Sequence, residues 1–161
     1  MRGNGGTAND IAQRDLTIER VFDAPRDIVF AAWTDAKQAA QWWGPQGFTT
    51  ISCEMDVRIG GAYRACMRSP EGTRHCRRGV YREIAPPERL VFTYAWEDGD
   101  ANPGPETIVT VRFADIGGGK TRLTLHQALF ETGSARDAHH AGWSSCMERF
   151  VAYVAAATTD R

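Results

Sequence analysis

Lysine is almost missing from this chain: Lys37 and Lys120 are the only two among 19 basic residues, which stand against 20 acidic ones for a net charge of −1. A chain so balanced has no global attraction for nucleic acid or for an anionic membrane. Arg58, Arg64, Arg68, Arg74, Arg77, Arg78 and Arg82 do cluster in sequence, and they read as the solvated face and rim of strands. Long apolar runs are missing too. No window reaches the length of a membrane span, and MRGNGGTANDIAQR holds no hydrophobic signal core, so a cytoplasmic protein without a membrane span is expected. CxxC pairs are absent, and no histidine stands at zinc-finger spacing from Cys53, Cys66, Cys76 or Cys146. In a reducing compartment these cysteines read as small buried hydrophobes, not as a metal site or a functional thiol. No GxSxG nucleophile motif occurs. Gly117-Gly118-Gly119-Lys120-Thr121 ends like a phosphate-binding loop, but Ala114 stands where that motif needs glycine and an alternating segment follows where it needs a helix. A hairpin turn is expected there, and no cofactor or metal is assigned.

What is present is one long amphipathic segment and a series of short alternating ones. Ser134 to Ala157 is long and apolar enough for a helix of about six turns. Trp143, Met147, Phe150 and Val154 form one stripe of it, flanked by Ala138, His139, Cys146 and Val151. Arg136, Asp137, Ser144, Glu148 and Arg149 fall mostly on the other side. Residues 15–23 alternate as a strand. Pro25 suits the first turn of a short helix through Trp33, with Asp23 as a cap, and Asp35 suits the cap of a second from Ala36 to Trp43. Segments 48–56, 61–68, 75–84, 89–97, 106–114 and 121–128 read as strands separated by turn residues. The face of 75–84 is ambiguous, because neither parity is uniformly apolar. Residues 1–14 are expected to be a flexible tail, 15–157 a single domain and 158–161 a short tail.

This order predicts an α+β helix-grip fold, a curved antiparallel sheet wrapped around a long C-terminal helix. A strongly curved sheet and one helix cannot touch everywhere, so a cavity between them is expected.

The chain also resembles the START-like (SRPBCC) superfamily, and within it the bacterial proteins similar to the C-terminal domain of the activator of heat shock protein 90 ATPase, the AHSA type. The resemblance covers about Leu16 to Ala155. It rests on Phe22-Asp23-Ala24-Pro25, Ala32-Trp33-Thr34, Trp42-Trp43-Gly44-Pro45 and Gly60-Gly61-Ala62-Tyr63-Arg64, then on Met67-Arg68-Ser69-Pro70-Glu71-Gly72, Pro86-Pro87-Glu88-Arg89-Leu90-Val91-Phe92-Thr93 and Gly142-Trp143. It implies a hydrophobic pocket between helix and sheet in a soluble, often dimeric protein. The superfamily spans lipid carriers, hormone receptors, polyketide cyclases and aromatic-ring-processing domains, so the ligand stays open.

Met67, Tyr94, Trp96 and Trp143 are the expected cavity walls, with Tyr63, Phe92, His139 and Cys146 next to them. Aromatics and methionine make an adaptable apolar site with a few polar tips, which suits a lipid-like or aromatic small molecule. His75, His126, His139 and His140 have no spacing that requires a metal. The primary reading is a non-enzymatic binding protein for a hydrophobic ligand. A second is a cyclase- or hydrolase-like enzyme in which His139, the weak catalytic candidate, moves protons. The third is a stress-response interaction module that meets a chaperone or another partner through the outer face of the sheet, around Arg64 and Arg68. The namesake's N-terminal chaperone-binding domain is not expected within these 161 residues.

Overall fold

Strands with one apolar and one polar parity need a sheet with a single covered face, and that is what they build. The computed structural model describes residues 15–159. In chain order the elements are β1 (Leu16–Phe22), α1 (Arg26–Thr34), α2 (Ala36–Trp42), β2 (Thr49–Met55), β3 (Ala62–Arg68), β4 (Arg74–Ala85), β5 (Arg89–Trp96), β6 (Thr107–Gly117), β7 (Lys120–Ala128) and α3 (Gly133–Thr159). All seven strands form one antiparallel sheet in the order β1-β7-β6-β5-β4-β3-β2, curled as a half-barrel around α3. The expected helix-grip architecture is therefore the observed one. The helix runs further than expected, through Thr159, while the expected N-terminal tail lies outside the described residues.

Local chemistry sets the joints. Pro25 precedes α1 in extended conformation and its carbonyl takes the first helical amides, from Ile28 and Val29, so Asp23 is not the cap. Asp35 does cap α2, accepting from the Lys37 amide at 3.1 Å. Gly118 and Gly119 turn the β6–β7 hairpin at φ of 64° and 73°, and the strand β7 follows where a phosphate loop needs a helix.

The core is aromatic. Trp143, Met147, Phe150 and Val154 of α3 are each at most 4% exposed against the concave face. Trp33 of α1 stands at the centre, with ring centroids of Trp42, Phe150, Trp143 and Phe92 at 4.8, 5.9, 6.0 and 6.1 Å. Trp42 stacks on Phe150 at 4.0 Å, and Phe150 meets Phe22 of β1 at 4.9 Å. Each such pair is worth about 0.5–1.5 kcal/mol beyond the area it buries.

One question left open is decided, and two sequence expectations need correction. The inward parity of β4, left open above, is that of His75, Arg77, Gly79 and Tyr81. Arg77, assigned to the solvated face, is therefore buried at 2% exposure, because the strand alternation turns its side chain under α3. Cys66 and Cys76 are not independent thiols. They stand opposite each other in the β3–β4 register and form a disulfide, whereas Cys53 and Cys146 are free. A separation of 10 residues in the chain says nothing of this; the register does.

Gly79 is required by a close approach. Tyr63 reaches across β4 to donate its hydroxyl to the Thr93 carbonyl of β5 at 2.6 Å, and a Cβ on Gly79 would stand 1.8 Å from that carbonyl oxygen and 2.7 Å from the Tyr63 ring. Gly79→Ala should cost about 2–3 kcal/mol in urea unfolding through overpacking alone; an unchanged midpoint would refute the close approach. Thiol titration of the denatured, unreduced protein should find two reactive thiols, rising to four after reduction.

Candidate functional site

The stacked end of α3 is its C-terminal half. Its N-terminal half stands away from the sheet and leaves a cavity of about 450 Å³, within the range of small-molecule sites. The walls come from four parts of the chain. The α2–β2 loop gives Trp43, Gly44, Pro45 and Phe48; β3 and β4 give Met67, His75 and Arg77; β5 gives Tyr94 and Trp96; α3 gives Ala138, His139, Gly142, Trp143 and Cys146.

Of the side chains the sequence nominated, Met67, Tyr94, Trp96, His139, Trp143 and Cys146 line this space. Tyr63 and Phe92 do not. They lie deeper, packed edge-on to each other at 5.5 Å in the solid core beside Trp33 and Tyr81. Sequence reasoning missed Phe48, His75, Arg77 and Gly142. The Trp42–Pro45 turn, expected over one end, splits its roles: Trp43 lines the cavity, while Trp42 is wholly buried in the core.

Two polar devices hold the walls in place. In one, the Trp143 indole donates to Gln127 Oε1 at 2.7 Å, Gln127 Nε2 donates to Thr107 Oγ1 at 2.8 Å, and that hydroxyl donates to the Tyr94 carbonyl at 2.9 Å. This buried chain ties α3 to β7, β6 and β5, the kind of fully paired network that fixes a single packing. In the other, Arg149 leaves the polar side of α3 expected for it and donates to the carbonyls of Gly44, Pro45, Phe48 and Gln41 at 3.0, 3.1, 3.2 and 3.1 Å. The loop that covers the cavity is thus clamped to the helix.

Inside, the guanidinium of Arg77 lies over Trp43, its Cζ 4.3 Å from the ring centroid. Burial holds the Tyr94 phenol above its ordinary pKa, with the Arg77 charge opposing only in part, so the hydroxyl stays protonated. Burial likewise pushes the Cys146 thiol up to about 11, which leaves it a weak nucleophile at neutral pH.

The sequence profile of the family described as activator of Hsp90 ATPase homolog 1-like protein matches residues 23–155. The chain belongs to this family. Among solved structures it is similar to the AHSA1 protein of Silicibacter pomeroyi, with 29% identity, 88% of this chain and 97% of that one covered, and a TM-score of 0.79. A protein of Chromobacterium violaceum has 27% identity over 88% and 96% of the two chains at a TM-score of 0.76. A protein of Arthrobacter aurescens has 25% identity over 91% and 88% at 0.80. A search of curated proteins finds no match.

In this AHSA1-like chain His139 is poorly placed for catalysis. The Trp96 indole N–H, which can only donate, gives its hydrogen bond to His139 Nε2 at 2.8 Å, and Nδ1 lies 2.8 Å from the Ala135 carbonyl. Those partners fix the neutral tautomer with Nδ1 protonated, and the lone pair a general base would use is occupied. His126 pairs with Asp15 at 3.2 Å, away from His139, and no group of three or more His, Cys, Asp or Glu among the described residues is placed to hold a metal ion.

Burial lowers the His139 pKa, with the Ala135 contact opposing in part. The folded state therefore resists protonation more than the unfolded chain does, and its stability contribution is complete above about 6.5 and is lost as pH falls from there. The stability advantage of the native protein over His139→Gln should shrink between pH 7 and pH 5 in parallel denaturant titrations; a gap that widens toward acid would contradict the assigned tautomer.

Proposed function

We propose that this AHSA1-like protein binds an apolar, lipid-like or aromatic small molecule between α3 and the sheet, without itself catalysing a reaction. The supporting observation is the cavity of about 450 Å³ walled by Trp43, Phe48, Met67, Tyr94, Trp96 and Trp143. Large flat rings and a flexible thioether offer contact area to a ligand at low entropic cost. The proton-transfer reading gains no support, since Trp96 occupies the base nitrogen of His139. The partner-binding reading is weakened at Arg64, which forms a two-pronged pair with the buried Glu97 carboxylate at 2.7 and 2.8 Å and so is not a free charge on the outer face.

Gly142 supplies the test. It lines the cavity, and a Cβ there would meet nothing within 4 Å. Gly142→Leu should fill the space while improving helix propensity by about 1 kcal/mol. With the neutral fluorophore N-phenyl-1-naphthylamine, the native protein should show saturable enhancement, and the variant should lose it at an equal or higher melting temperature. Native mass spectrometry of freshly purified protein should show retained small molecules in the native form only. Equal binding by both proteins, or none by either, would overturn the proposal.

A further inference from the structure

The cavity has one wall residue that an apolar ligand alone does not explain. Arg77 is 2% exposed, and among the described residues no carboxylate forms an ion pair with it. Its bonds are few for a buried cation: Nη2 donates to the Trp43 carbonyl at 3.1 Å, Nη1 to the soft Met67 sulfur at 3.3 Å, and Nε has no partner. A guanidinium has about five N–H donors, so most of its capacity is unused. Burying a charge without a counter-charge is strongly unfavourable, and a structural role would be filled more cheaply by an apolar residue of the same volume. The cation lies over the Trp43 ring at 4.3 Å and over the Trp96 ring at 5.9 Å. The position is thus prepared for a charge that the protein itself does not contain.

We infer that the cavity takes a molecule with a carboxylate or similar monoanionic head on an apolar body, the head pairing with Arg77. This rests on the ligand-binding reading above and narrows it. A planar guanidinium pairs with a carboxylate through two parallel hydrogen bonds, a match that lysine lacks. The Tyr94 hydroxyl lines the same cavity, stays protonated and can donate to the head as well. Arg77 is the one guanidinium or ammonium in the wall and matches one negative charge, whereas a dianionic phosphate would carry a second charge into a largely aromatic cavity. The body then lies along Phe48, Trp96 and Trp143, and the exposed His75 marks the mouth.

The test compares acids with their uncharged amides, in two matched pairs: naphthalene-2-acetate with naphthalene-2-acetamide, and decanoate with decanamide. Titration calorimetry on the native protein should give acids about 10- to 100-fold tighter than amides, the range expected for a hydrogen bond to a charged partner. The pair that binds better tells whether an aromatic or an acyl body is preferred. Arg77→Gln keeps a donor for the Trp43 carbonyl; it should lose the preference for acids, so that acid and amide of each pair bind with equal affinity. Arg77→Met should behave alike and melt at or above the native temperature, since it removes an unpaired buried charge. Equal native affinity for acid and amide overturns the anion inference and leaves the ligand-binding reading standing, whereas no binding of any probe overturns both. An acid preference that survives in Arg77→Gln, or a lowered melting temperature in Arg77→Met with the preference intact, assigns Arg77 to packing and overturns the inference.

Discussion

The stacking of Phe150 on Trp42 at 4.0 Å, with Phe22 and Trp33 closing around the same ring, is the contact on which the rest of this structure depends. It joins the long helix to β1 and to both short helices at one end. A curled sheet cannot keep a straight helix in contact along all its length, so seating one end lifts the other. The cavity is the space left under the lifted half, and Gly142 enlarges it by contributing no side chain. Neither short helix would be stable alone. They persist because Val29, Phe30, Ala32, Trp33, Ala39 and Trp42 are buried in that packing.

Polar groups then decide how the lifted half is held. Burying Gln127 and Thr107 would be destabilising without partners, but the bonds from the Trp143 indole through to the Tyr94 carbonyl satisfy them and fix the separation of helix and sheet. Arg149 does the same for the covering loop with four carbonyls. Arg77 is the contrast: buried to the same degree as its apolar neighbours, yet with Nε unmatched and no ion pair among the described residues. Polar side chains that complete their bonds inside the protein read as architecture; Arg77 and the Trp33 indole each leave a buried N–H unmatched, and of these two only Arg77 lines the cavity.

Membership of the AHSA1-like family establishes the fold, but a shared fold does not choose a ligand. That choice lies with the particular walls of this chain. The combination here, indole and phenol rings around one guanidinium, differs chemically from an all-apolar lipid sleeve.

The sequence by itself determined the element order, the apolar stripe Trp143-Met147-Phe150-Val154, the Asp35 cap, the β6–β7 turn and most of the cavity's aromatic lining. These are local or periodic properties: hydrophobic spacing of 2 or 3.6 residues and the conformational freedom of glycine and proline survive in one dimension. Only the tertiary structure decided that Tyr63 and Phe92 pack in solid core, that Cys66 bonds to Cys76, that Arg149 turns to the loop and that Arg77 turns inward. β4 shows why. Its inward residues His75, Arg77 and Gly79 are polar or without a side chain, so the alternation that identifies a buried face in the other strands is missing there. Register and the curl of the sheet, set by pairing with the neighbouring strands β3 and β5, placed that face under the helix, and no pattern within the strand itself carried the information.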